Sequence, residues 1–222
     1  MRIVPLIALC ASSLLLTASP QRVTASCTEA EVLVLELTQA LSPPDNLTAH
    51  VKADLVAIRT FDPFFERIHV SPDWDPSALV IELTPEAMQE FLAGTYHGLD
   101  ELNAQYGPVE MRPLTFGNWI KVTLSQCYSP PQLAILYGDA QGVVFSGPDY
   151  NIGDGSDIRI QGLGLYTFRL AWGDCPSGCI YEHFWVFRVE GASVELLEDY
   201  GDQVAVRETS WGEIKARFLD SK

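Results

Sequence analysis

Hydrophobic positions recur along this chain with two different periods, and the switches between them mark out its elements. Residues 27–41 place Val32, Leu33, Leu35, Leu37 and Leu41 in a short, mostly apolar run, which periodicity alone leaves open as helix or strand. Pro43-Pro44 ends it. Leu47, Val51, Leu55 and Ile58 then recur at helical spacing, predicting a helix over 47–60 with Asp45 as its cap and Pro63 beyond its end. Asp73-Trp74-Asp75-Pro76 reads as a loop and Ala78-Leu79-Val80-Ile81-Glu82-Leu83 as a strand. Thr84-Pro85-Glu86-Ala87 has the cap, the first-position proline and the first-turn acid of a helix start. Met88, Phe91, Leu92, Tyr96, Leu99, Leu102 and Tyr106 carry that stripe to Gly107, with Gly94 and Gly98 as weak points where it can divide.

Two strands are expected over 109–114 and 119–124, the second alternating cleanly and so wet on one face. Pro130-Pro131 opens a helix that ends near Gly138, and Gly142-Val143-Val144-Phe145 is a strand expected to break at Gly147-Pro148. From Leu79 to Phe145 the order is strand, helix, strand, strand, helix, strand, the split βαβ pattern of a ferredoxin-like sheet. Leu165-Tyr166-Thr167-Phe168-Arg169-Leu170-Ala171-Trp172 and Tyr181-Glu182-His183-Phe184-Trp185-Val186-Phe187-Arg188-Val189 flank a knot of Gly, Asp, Pro, Ser and Cys. They predict a long β-hairpin with a stapled tip. A strand follows at Ala192-Ser193-Val194-Glu195-Leu196-Leu197. Ser210-Trp211-Gly212-Glu213 fits a capping box, opening a terminal helix whose apolar face is Trp211, Ile214 and Phe218.

The ends and the composition narrow the picture. Arg2, the apolar run from Ile3 to Leu16 and the small residues Val23-Thr24-Ala25 have the form of a secretory signal cleaved after Ala25. Cys27 invites a lipoprotein reading, but Thr24-Ala25-Ser26 lacks the aliphatic residue expected there and the apolar run ends too early. Asn46-Leu47-Thr48 is a glycosylation sequon by spacing, with chance as its default explanation. The expected organisation is a signal peptide over 1–25 and a single α+β domain over 26–222. Within it lie a helical arm (26–77), a ferredoxin-like part (78–160), a hairpin and strand (161–205) that extends or packs on the sheet, and a terminal helix (206–222). Loss of Arg2 and Arg22 with the leader takes the formal charge from −15 to −17, which repels phosphate backbones and excludes nucleic acid as a partner. The expectation is an exported monomer without membrane insertion.

With Cys10 gone in the leader, Cys27, Cys127, Cys175 and Cys179 remain, an even count that suits disulfides in an exported chain. Four cysteines permit three pairings. The local Cys175–Cys179 bond is easy if the turn is tight, and would leave Cys27 for Cys127.

The run over 133–148, a helix followed by Gly-Val-Val-Phe and a proline exit, resembles the second half of a subtilase propeptide (inhibitor I9-like) domain. That resemblance implies a ferredoxin-like unit whose tail lies in a protease cleft, although here the chain continues into the hairpin. The mature chain also resembles a group of exported bacterial proteins, through Leu-Asn-Ala-Gln-Tyr-Gly at 102–107 and the Gly-Asp-Gly-Ser-Asp-Ile and Gly-Asp-Cys-Pro-Ser-Gly-Cys runs.

Candidate chemistry is sparse. Cys175, Cys179 and His183, four and four apart, have zinc or copper spacing, against which an oxidising compartment favours a disulfide. Asp149, Asn151, Asp154 and Asp157 in a glycine-rich loop are oxygen ligands of the type calcium takes, though the spacing is not that of an EF-hand and turn chemistry explains the same residues. Nucleophile elbow, metalloprotease helix and phosphate loop are all missing from the sequence, so no catalytic residue is assigned. The leading expectation is therefore a non-enzymatic protein-binding or protease-inhibitor-like module that recognises a protein partner. Trp172, Tyr181, His183 and Trp185 near the hairpin tip are its contact candidates. The alternatives are a calcium-stabilised domain or a hydrolase assembled from scattered groups such as Asp149, Asp154, Asp157 and His183.

Overall fold

The first helix starts where two side chains satisfy each other's backbone. A computed structural model of the chain describes residues 27–204, and in it the Thr28 hydroxyl accepts from the Glu31 N–H at 3.3 Å while the Glu31 carboxylate accepts from the Thr28 N–H at 2.6 Å. This capping box decides the ambiguous run as helix α1 (Glu29–Thr38). Its apolar residues show no clean stripe because they are buried on two sides. Leu33 and Val34 join one core, whereas Val32 and Leu35 pack with Trp74 beside Cys27 and Cys127. Helix α2 (Asp45–Phe61) buries Val51, Leu55 and Ile58 as the spacing predicts. Its cap position is Pro44, without a side-chain hydrogen bond, and Asp45 is its first residue.

Strand β1 (Trp74–Leu83) takes in most of the stretch expected as loop, because Trp74 is itself buried. The following stripe divides at Gly94, whose φ of 72° closes α3 (Pro85–Ala93); α4 (Asp100–Tyr106) then leads to β2 (Pro108–Pro113) and β3 (Trp119–Leu124). Helix α5 (Pro130–Gly138) precedes β4 (Val143–Tyr150), which runs straight through Gly147-Pro148 rather than breaking there. It can do so because it is an edge strand, where a missing N–H need not cost a ladder bond. The four strands form an antiparallel sheet in the order β2-β3-β1-β4. Leu79, Ile81, Leu83, Ile120, Val122 and Leu124 meet α3, α4 and α5 on one face, through Met88, Leu99, Tyr106, Leu133 and Tyr137.

The hairpin does not extend this sheet. It forms the middle of a second antiparallel sheet, ordered β5-β6-β7-β8, from β5 (Asp157–Gly162), β6 (Leu165–Trp172), β7 (Tyr181–Glu190) and β8 (Ser193–Gly201). The hairpin register runs from Leu165 opposite Arg188 to Trp172 opposite Tyr181. Helices α1 and α2 are accordingly not a free arm, since with the 3-10 turn Pro63–Arg67 they cover the inner face of this second sheet. There Phe65 makes edge-on contacts with Phe168, Trp185 and Phe187 at 5.5, 5.3 and 4.9 Å. The buried Tyr166 hydroxyl donates to Asp54 at 2.7 Å.

The cysteines pair as Cys27–Cys127, joining the segment just before α1 to the connection between β3 and α5, and Cys175–Cys179 at the hairpin tip. No helix among the described residues is long and apolar enough to cross a membrane. The leader over 1–25 and the terminal helix over 206–222 lie outside the described residues.

Candidate functional site

The chain crosses between the two sheets twice, around residues 70–74 and 150–157, and the two crossings are laced together. The Asn151 N–H donates to the Asp73 carbonyl and its side-chain amide to the Pro72 carbonyl, both at 2.9 Å, while the Ser71 N–H donates to Asp157 Oδ1 at 2.7 Å. Between them opens a cleft of about 460 Å³ lined by Asp73, Tyr150, Asn151, Asp154, Asp157, Arg159 and Arg169.

One guanidinium holds most of its acids. Arg159 reaches Glu36 on α1 at 3.3 Å and Asp73 at 3.1 Å, and also pairs with Asp157. Three carboxylates around a single cation remain under-compensated. Burial pushes the Glu36 carboxyl up to about 7 against the pull of Arg159, and burial likewise raises Asp157.

The opposite wall is tied to the stapled tip. Arg169 grips Asp154 with both terminal nitrogens, at 2.5 and 2.8 Å, and reaches Glu182 at 3.0 Å. The Asp154 N–H donates to the Cys175 carbonyl at 3.0 Å and its carboxylate accepts from the Cys179 N–H at 3.3 Å. The hydrogen bonds from Arg169 hold the Asp154 carboxyl well below the usual carboxylate range. The acidic loop and the disulfide tip thus form one structural unit beside the cleft.

Of the four oxygen ligands expected for calcium, Asn151, Asp154 and Asp157 line the cleft. Asp149 lies apart from it, paired with Lys121 at 2.6 Å. Each of the three carboxylates already faces a cation, and the described residues contain no group of three or more His, Cys, Asp or Glu side chains that could hold a metal ion. His183 also stands away from the cleft. Its ring lies 2.5 Å from the Asp199 carboxylate and 2.6 Å from the Asp202 carbonyl, and packs on Trp185 at 4.4 Å. The contact candidates at the tip separate: Trp172 stacks on the exposed Tyr181 at 5.7 Å, whereas Trp185 is buried in the core.

A second surface escaped sequence reasoning because it depends on strand order. An edge strand presents unpaired N–H and C=O groups, and natural edges are usually guarded. Here β2 has a proline at each end, β8 carries Glu195, Glu198 and Asp199, and α1 packs along β5. The edge strand β4 carries Pro148 and Asp149 in its second half and exposes large apolar side chains in its first. Val144 and Phe145, on opposite sides of the strand, are 62% and 48% exposed, and Ile135 of α5 is 61% exposed. The Phe145 ring folds over Gly147, where an added Cβ would stand 2.8 Å from it, and lies 5.6 Å from the Trp119 ring. Between α5 and β4 runs a groove of about 560 Å³. No protein-family model, curated protein or solved structure matches this chain.

Proposed function

We propose that this chain is an exported, non-enzymatic protein-binding module, monomeric on its own and protease-inhibitor-like in its mode of action. The observation that carries this reading is the set of exposed apolar side chains Ile135, Val144 and Phe145 around the groove between α5 and β4. Such a surface is an aggregation hazard unless a partner covers it. The strand order β2-β3-β1-β4, with every neighbour antiparallel, supports a ferredoxin-like reading of the first sheet. The residues that carry the resemblance to subtilase propeptides, 133–148, are those that build the α5–β4 groove. Two disulfides support an oxidising compartment and hence export.

The test is titration of the secreted protein into a panel of subtilisin-type serine proteases, read by peptide hydrolysis and by sedimentation of the complex. Saturable complex formation that slows hydrolysis, and that a Phe145→Glu change weakens at least tenfold, is the expected result. Complexes without inhibition would leave a binding module and remove the inhibitor-like part. Failure to bind any protease of the panel, together with no cross-linked protein in the native extracellular fluid, would remove the binding reading as well.

A further inference from the structure

The His183 ring stands between two hydrogen-bond acceptors. Its Nδ1 lies 2.6 Å from the Asp202 carbonyl oxygen and its Nε2 lies 2.5 Å from the Asp199 carboxylate. A neutral imidazole has one N–H and one lone pair, so it donates to one of these partners and turns a lone pair on the other. The imidazolium donates to both at once. The side chain is 13% exposed and packs on Trp185, which leaves the ring little room to turn away. What the two contacts fasten is the last stretch of β8, an edge strand of the second sheet. There the Glu182 N–H donates to the Asp202 carboxylate at 2.9 Å, and the Asp202 N–H donates to the Glu182 carbonyl at 2.8 Å. Gly201, at φ 119°, allows this approach, since an added Cβ would stand 2.5 Å from the Glu182 carbonyl oxygen. Apart from the Tyr200 ring stacked on Phe184, residues 199–202 are two aspartates and a glycine.

The charged groups around the ring come from several elements. Asp199 and Asp202 face it from β8 and its exit. On β7 itself the Glu182 carboxylate is turned to Arg169 at 3.0 Å. Leu170 of β6 stands opposite His183, and the 3-10 turn brings Phe64 against Trp185, with Arg67 5.2 Å above the Phe64 ring. We infer that His183 is a proton-operated latch for the end of β8, closed while its ring is an imidazolium and opened over residues 199–202 as the ring becomes neutral. The closed form binds one proton more than the open form with a neutral ring. Raising the pH through the range in which imidazole gives up its proton therefore draws the equilibrium toward the open form. Opening frees the Glu182 N–H and carbonyl beside the Arg169 contact that holds Asp154 in the cleft wall.

The test is NMR on the protein with both disulfides formed, at pH 5.5 and pH 8. Ring-nitrogen spectra should show a proton on both Nδ1 and Nε2 of His183 at the lower pH. Amide exchange at Asp202, corrected for its intrinsic rate at each pH, should lose protection roughly tenfold or more at the higher pH. The amides of Phe168 and Phe187 in the sheet interior serve as the reference for global opening. Two variants separate the latch from a merely structural histidine. In Asp199→Asn the new amide donates to the Nε2 lone pair of a neutral ring while Nδ1–H still donates to the Asp202 carbonyl, so protection at pH 8 should return to its pH 5.5 level. His183→Gln should give one reduced level of protection at both pH values. A singly protonated ring at pH 5.5, protection at Asp202 indifferent to pH in the unaltered chain, or a pH dependence that Asp199→Asn leaves intact would overturn the proposal.

Discussion

At Glu36 the chain holds a carboxylate that would be more comfortable in water. Its side chain is 18% exposed, and its one cation, Arg159, is shared with Asp73 and Asp157. Because burial raises the folded-state value from 4.5 to about 7, the folded protein keeps a proton there that the unfolded chain has released. The resulting cost is absent below the unfolded value, grows as pH rises between the two, and is complete above the folded one. Glu36→Gln should therefore leave stability near pH 4 unchanged and raise it at pH 8 by up to about 3 kcal/mol, measured by urea unfolding at both pH values. A substitution equally neutral at both would show that Arg159 compensates Glu36 in full. The sequence offers no hint of this cluster, whose members lie at positions 36, 73, 157 and 159. Trp185 shows a related limit. It shares a strand face with Tyr181, and alternation places both side chains there without saying where the covering helices stop.

Among the elements, legibility followed the strength of local punctuation. The Thr84 cap, Gly94 and the Gly107 helix end all act as expected, with the Thr84 hydroxyl accepting from the Ala87 N–H at 3.2 Å. Strand β5 leaves little trace in the sequence, because its two isoleucines, separated by Arg159, make only a short alternation just after a glycine-rich loop. The acids of β8, Glu195, Glu198 and Asp199, are solvent-exposed and at the same time part of a paired strand. The two disulfides should differ sharply in weight. On the chain-entropy model the Cys27–Cys127 bond, separated by 100 residues, is worth close to 5 kcal/mol, and the Cys175–Cys179 bond, separated by 4, about 2. Double serine replacements should show that ranking in urea midpoints. Equal losses would mean that the tip staple also holds the cleft wall through Asp154.

For the molecule as a whole, patterning showed two batches of strands but not which batch the N-terminal helices would cover. An apolar helix face fits either sheet, and the choice was made by Phe65, Tyr166, Phe168 and Phe187 finding one another across the chain. The acidic surface has a similar lesson. Its loop acids are neutralised from strands far along the chain, Asp149 by Lys121 and Asp154 by Arg169. A calcium ion would have to displace those cations, so calcium or chelator should move the melting temperature by less than about 1 °C in a thermal scan. A rise of several degrees with calcium would mean that Arg169 and Arg159 yield their carboxylates.

The covalent pairing also bears on how the chain could be made. Were the chain exported and its leader, with Cys10, cut away, Cys27 would emerge first, then Cys127, then Cys175 and Cys179, so that each cysteine bonds its immediate neighbour in order of arrival. An oxidase that simply joins thiols as they emerge therefore yields the native set, and the enzymes that reshuffle mistaken bridges have nothing to correct.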